Sequence, residues 1–182
     1  MPKYFVGVDV GTGSARAGVF TQTGEMLGLG KKDLKIFKYG NDFIEQSSAD
    51  IWSAVCFSVR KAVKESNVDV NNIASIGFDA TCSLVVIGDD NNPLPVGDHG
   101  EPERNIIVWM DHRSIDQAER INRTKHSVLN YVGGKISPEM ETPKLLWLKE
   151  NLQSTYKAAS HFFDLADFLT WKASGSLQRS AC

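Results

Sequence analysis

DVGTGSARAG, residues 9–18, is the stretch on which the reading of this chain turns. An acid, Asp9, stands near the end of the apolar run YFVGVDV, residues 4–10, and two glycines, two hydroxyls and an arginine follow it. The run before it and the run SARAGVFT after it, residues 14–21, both read as strands, and the short glycine-rich link between them reads as a hairpin. Gly11 and Gly13 are free to take positive φ and let backbone N–H groups approach a ligand, and a row of such groups makes an anion nest. Thr12, Ser14 and Arg16 share parity, so in an extended segment all three point to one face. Two hydroxyl donors and a guanidinium on one face suit phosphate oxygens. The two common nucleotide motifs fail here. GxGxxG needs glycine where Arg16 stands, and a GxxxxGK[ST] frame begun at Gly13 finds Gly18 but then Val19 and Phe20. A phosphate cradle of the β-hairpin kind and an ordinary glycine hairpin both accommodate this spacing.

Working outward, Thr23-Gly24 marks a turn, and a third strand is expected from Glu25 to about Phe37, which gives an antiparallel meander. The period then changes. Ser47-Ser48-Ala49-Asp50 has the form of a capping box, and Ile51, Val55, Val59 and Val63 follow at helical spacing, so a helix over about 50–65 is expected, with that stripe packed in the core. IASIGFD, residues 73–79, reads as a short buried strand. A hairpin is expected around GDDNNP, then a strand at NIIVWMD, residues 105–111. Ser114 with Gln117 opens a helix to about Thr124, and Thr142 with Pro143 opens another. HFFDL reads as a last strand and ADFLTWKA as a helix stopped at Gly175. A meander followed by alternating helices and strands implies an α/β fold with a mixed sheet and flanking helices. No repeat, low-complexity segment or linker marks an internal boundary.

Composition excludes several functions. The chain has 182 residues, 42% apolar and 23% charged, the balance of a globular domain. Its net charge of -2 and lack of a basic stripe argue against nucleic acid as a partner. The N-terminal apolar run is too short and interrupted for a signal peptide, and no run approaches transmembrane length, so a cytoplasmic, membrane-free protein is expected. Three cysteines, Cys56, Cys82 and Cys182, without a CxxC, fit a reducing compartment and no disulfide framework.

Four apolar runs end in aspartate, at Asp9, Asp79, Asp111 and Asp164. A carboxylate beside a buried strand needs water, hydrogen bonds or a cation, and in open α/β sheets ligands bind at the carboxyl ends of strands. Helix capping competes with this reading at Asp111 and Asp164, but it does not explain Asp9, which precedes a hairpin. His112 has no second ligand at metal-binding spacing, and His99, His126 and His161 read as surface or satisfied polar positions. Lys31-Lys32 and Arg60-Lys61 read as solvated faces.

DVGTGSARAG resembles the first phosphate motif of the FGGY carbohydrate kinases, of the sugar kinase, Hsp70 and actin superfamily. FDATCSLVV, WMDHRS, GGKISPEMETPKLLWLKE and FFDLADFLTWKASGS agree with that family in order and look most like its ribulokinase branch. The resemblance spans essentially the whole chain and implies a ribonuclease H-like, actin-like α/β domain. It implies ATP and Mg²⁺ as cofactors, with the phosphates against Gly11, Thr12, Gly13, Ser14 and Arg16, and Asp9 near Mg²⁺ through water. It implies a ketopentose near Thr81, Cys82 and Ser83, with Trp109, Asp111, His112 and Arg113 lining the other side and Lys144 a further contact. Cys82 also reads as an ordinary buried thiol and Trp109 as plain core.

The family pattern has two domains with ATP between them, and by resemblance this chain ends inside the first. The catalytic aspartate and the adenosine-binding motifs are expected beyond residue 182. The expected activity of the longer protein is transfer of phosphate from ATP to a ketopentose, D-ribulose foremost, with Arg16 stabilising transferred charge. The alternative is a truncated, catalytically inactive product that binds a partner or interferes with the intact protein. Oligomeric state is not readable from the sequence.

Overall fold

The computed structural model describes residues 3–40 and 42–180. The chain runs β1 (Tyr4–Val10), β2 (Ser14–Phe20), β3 (Met26–Asp33), β4 (Phe37–Tyr39), β5 (Phe43–Gln46), α1 (Ser48–Ser66), β6 (Ile73–Ala80), β7 (Leu84–Gly88), β8 (Ile106–Ile107), α2 (Ile115–Arg123), α3 (Glu141–Asn151), α4 (Gln153–Ala158), β9 (Ala159–Asp164) and α5 (Leu165–Ser174). These elements form two compact units. One comprises residues up to 35, 49–81 and from 166 onward, and the other comprises 36–48 and 82–165. The crossings carry no linker composition, which is why nothing in the sequence marks them.

The first unit is built on a four-stranded sheet in the order β3-β2-β1-β6. β1, β2 and β3 form the expected antiparallel meander, and β6 runs parallel to β1, so the sheet is mixed. Alternation in β1 sends Val6, Val8 and Val10 inward, and Ala15, Ala17 and Val19 of β2 join them in the core. Helix α1 buries Ile51, Ala54, Val55 and Ala62; of the expected stripe, Ile51 and Val55 are buried while Val59 and Val63 are only half-buried. Full burial of a side chain the size of Ile51 stabilises by about 1.5–3 kcal/mol. β3 meets α1 through glycine. A Cβ on Gly30 would overlap the backbone of Ser58, and one on Gly28 would overlap that of Ala62 and Ser66. The Ser58 hydroxyl donates to the Ala15 carbonyl at 3.0 Å and ties the same helix to β2.

The second unit holds a five-stranded sheet in the order β4-β5-β8-β7-β9, all antiparallel. β7 is buried along its whole length. Leu84, Val86, Val96, Ile107 and Leu148 form its core cluster, with Trp147, Tyr156 and Phe162 packed against them.

Several expectations are corrected. The third strand stops at Asp33, because Leu34 N–H turns to the Gly13 carbonyl at 3.0 Å and Lys35 N–H to the Asp50 carboxylate at 2.9 Å. Phe37 belongs to β4, in the other sheet. β6 is not buried: it is the end strand of its sheet, with Ile76 42% exposed. The strand expected over 105–111 shrinks to Ile106–Ile107, since Asp111 N–H bonds back to the Val108 carbonyl and turns the chain. Ser114 and Gln117 form no capping box. The Ser114 hydroxyl donates to the Pro138 carbonyl and the Gln117 amide to Glu150, so both tie α2 to neighbouring segments. Gly175 closes α5 as expected, at φ +73° with its N–H on the Trp171 carbonyl.

Candidate active site

The β1–β2 turn is closed by the Gly11 N–H on the Ser14 carbonyl at 3.1 Å. Asp9 and Arg16 face each other in register across the two strands, and their side chains meet at 2.5 Å, each about half exposed. Register extends this pair into a row. Lys31 of β3 lies opposite Arg16, and Asp79 of β6 lies opposite Asp9. Partners in register point to the same face of a sheet, so Lys31, Arg16, Asp9 and Asp79 cross all four strands as two cations and then two anions. Lys31 also pairs with Asp33 at 3.3 Å. Beside the row lies an open depression of about 270 Å³, lined mainly by Gly7, Gly18, Phe20, Met26 and Leu29. Thr81 is at the same end of the sheet, its N–H on the Val10 carbonyl at 3.1 Å.

Gly11 and Gly13 do not take positive φ, contrary to expectation, so the turn is not a left-handed nest. Nor does packing require glycine. A Cβ on Gly13 would meet nothing within 4 Å, and one on Gly11 would make only ordinary contacts with Arg16 and Ser14. At Gly13 nothing lies within 4 Å of where a Cβ would stand, so that side of the turn is open. Ser14 and Arg16 follow it on one face of β2 with Lys31 opposite Arg16, a donor set whose chemistry suits phosphate oxygens. Among the described residues no group of three or more His, Cys, Asp or Glu side chains gathers to hold a metal. Asp9, with Asp79 beside it in register, suits a Mg²⁺ held mostly by phosphate and water.

In the second unit the remaining candidates separate into a front and a frame. Cys82 and His112 are exposed and Trp109 is half-buried. The His112 imidazole lies 3.8 Å from the Glu139 carboxylate. Cys82 is therefore not a buried thiol, and Cys182 lies outside the described residues. Ser83, Asp111 and Lys144 are fully buried and Arg113 nearly so. The Ser83 hydroxyl accepts the Trp109 N–H at 3.1 Å. The Asp111 carboxylate accepts from Ile44 N–H at 2.6 Å and from the Arg113 backbone and guanidinium at 2.7–3.0 Å. Arg113 also donates to Glu45 at 2.9 Å and to the Val96 carbonyl, and its guanidinium stacks over Phe43 and Trp147. Glu45 in turn accepts from His99 at 2.8 Å and Arg104 at 2.9 Å, so His99 is a satisfied polar position. The Lys144 ammonium donates to the Val108, Trp109 and Glu139 carbonyls at 2.8–3.0 Å. Burial lowers its pKa to about 8, against the pull of Asp111. The donors of Arg113 and Lys144 are thus engaged within the protein itself.

Sequence reasoning missed Lys31 as a neighbour of Arg16 and Glu45 as the centre of the buried charge network. Parity within a strand gives a face, but only register places Lys31 beside Arg16. Glu45 carries no motif at all.

The fold is an actin-like α/β domain, of the kind seen in solved sugar kinase structures. A xyloylose kinase from Brucella ovis has that fold, with a TM-score of 0.81 at 18% identity over 92% of this chain and 34% of its own. Residues 4–180 match the N-terminal domain of the FGGY family of carbohydrate kinases, and the chain belongs to that family. It is 52% identical over 99% of its length to the human FGGY carbohydrate kinase domain-containing protein and 51% identical to a D-ribulokinase of Saccharomyces cerevisiae. It spans only 32% and 26% of those two relatives. Among the described residues no helix is long and apolar enough to cross a membrane.

Proposed function

We propose that a protein carrying this chain together with the C-terminal portion its relatives possess is an ATP-dependent ketopentose kinase of the cytosol, with D-ribulose as its preferred sugar. The observation that carries the reading is the in-register Asp9–Arg16 pair at the mouth of the glycine turn, with Lys31 beside it. Phosphoryl transfer asks for positioning and charge stabilisation more than for covalent chemistry. On this reading the turn amides with Thr12, Ser14 and Arg16 would hold phosphate oxygens, and Asp9, paired with Arg16 here, would hold Mg²⁺ through water. Bound ATP-Mg²⁺ supplies the phosphoryl group. Thr81, Cys82, Trp109 and His112 contact the sugar, while Ser83, Asp111, Arg113 and Lys144 hold that segment in place. The base that takes the sugar hydroxyl proton lies beyond residue 182. D-ribulose is favoured by the 51% identity to a D-ribulokinase.

The test is ADP formation by the longer protein with Mg-ATP and a panel of D-ribulose, L-ribulose, D-xylulose and glycerol. The highest kcat/KM is expected for D-ribulose. A preference for glycerol, or ADP release indifferent to sugar, overturns the assignment.

A further inference from the structure

Lys144 is fully buried, yet it carries a charge-bearing group whose burial is costly without hydrogen bonds. An ammonium has three N–H donors, and here each has a carbonyl: Val108, Trp109 and Glu139. Two of these belong to the segment that turns through Asp111 into Arg113, and the third lies just before α3, the helix that carries Lys144 itself. The Ser114 hydroxyl on the Pro138 carbonyl at 3.2 Å and the His112–Glu139 approach of 3.8 Å join the same two segments.

We propose that Lys144 is a positioning residue, which ties the Val108 and Trp109 carbonyls to that of Glu139 and so sets how Trp109 and His112 are presented to the sugar. The proposal rests on the reading of that segment as part of the sugar site. It assigns Lys144 a role without any contact to substrate.

The pin has a built-in pH signature. A neutral amine has two N–H donors, so loss of the proton releases one of the three carbonyls. Burial brings the Lys144 pKa down to about 8 from 10.5, Asp111, Cys82 and Glu141 pull it up, and Arg113 pushes it down. Between those two values the unfolded chain binds the proton and the folded chain does not, so this group adds stability as pH rises through that window. A purely stabilising role therefore predicts no loss of order around Trp109 on deprotonation, whereas the pin does.

The experiment has two arms. In the 182-residue chain labelled with 5-fluorotryptophan and ¹³C-lysine, the Lys144 Cε signal and the Trp109 fluorine signal are followed by NMR from pH 6 to 10. Both are expected to move with one midpoint near 8, with Trp52 and Trp171 unmoved. A Trp109 signal that stays flat through the Lys144 transition overturns the proposal. In the longer protein, Lys144→Met is expected to raise the KM for the sugar about tenfold and leave the KM for ATP unchanged. Equal sugar KM in the variant and wild type overturns positioning. Where the variant fails to fold, the wild-type sugar KM is expected to rise above pH 8, and a flat profile counts against the pin. If the wild-type protein turns over no sugar at all, the kinase reading fails, and the fluorine titration still decides whether Lys144 holds the segment.

Discussion

Arg113 shows what residue type alone leaves open. In the motif WMDHRS it reads as a sugar contact, but in the fold its guanidinium donates to Asp111, Glu45 and the Val96 carbonyl and stacks on Phe43 and Trp147. Two carboxylates and a guanidinium that are all excluded from water hold together only as a complete set. Arg113→Met leaves Glu45 and Asp111 as buried anions with fewer partners, and the expected cost is about 3–5 kcal/mol of unfolding free energy. Denaturant melts of the chain check this, and a loss below about 1 kcal/mol contradicts the role given to Arg113. The sequence marked the segment by its motif. It did not divide Cys82, Trp109 and His112 from the buried Ser83, Asp111, Arg113 and Lys144, because that division depends on partners distant in the chain, such as Glu45, 68 positions from Arg113, and the Val108 carbonyl, 36 from Lys144.

Among the elements, the β1–β2 hairpin and α1 were legible because each is a local pattern: alternation around a glycine turn, and a stripe at helical spacing. β6 was misjudged because an apolar run does not say whether a strand lies at the centre or the edge of a sheet, and here it is the end strand. The charged row of Lys31, Arg16, Asp9 and Asp79 was invisible for a related reason. It needs the register of three strand pairings, one of them parallel and formed across a helix. Glycines divide at the same scale. Gly30 lets β3 approach α1, whereas nothing lies within 4 Å of a Cβ at Gly13. Gly30→Ala is expected to destabilise the chain by about 1–3 kcal/mol through overpacking. Gly13→Ala is expected to stay within about 0.5 kcal/mol of wild type, yet to raise the KM for ATP in the longer protein. Chemical denaturation and ATP kinetics of both variants decide the point, and a large fold penalty at Gly13 would remove its assignment to phosphate.

At the scale of the whole molecule, the chain carries the candidate phosphate hairpin in one compact unit and the candidate sugar segment in the other, and it spans between a quarter and a third of its curated relatives. The proposal places the proton-accepting base outside these residues. The 182-residue chain alone is accordingly expected to give no sugar-dependent ADP release with Mg-ATP after circular dichroism shows it folded, and turnover by it would place the base within the chain. The assignment of the hairpin is tested most directly by Arg16→Ala in the longer protein. The account predicts a fall in kcat of about 100-fold or more with D-ribulose, at little change in the KM for the sugar. An unchanged kcat would contradict the assignment of this hairpin to the transferred phosphate.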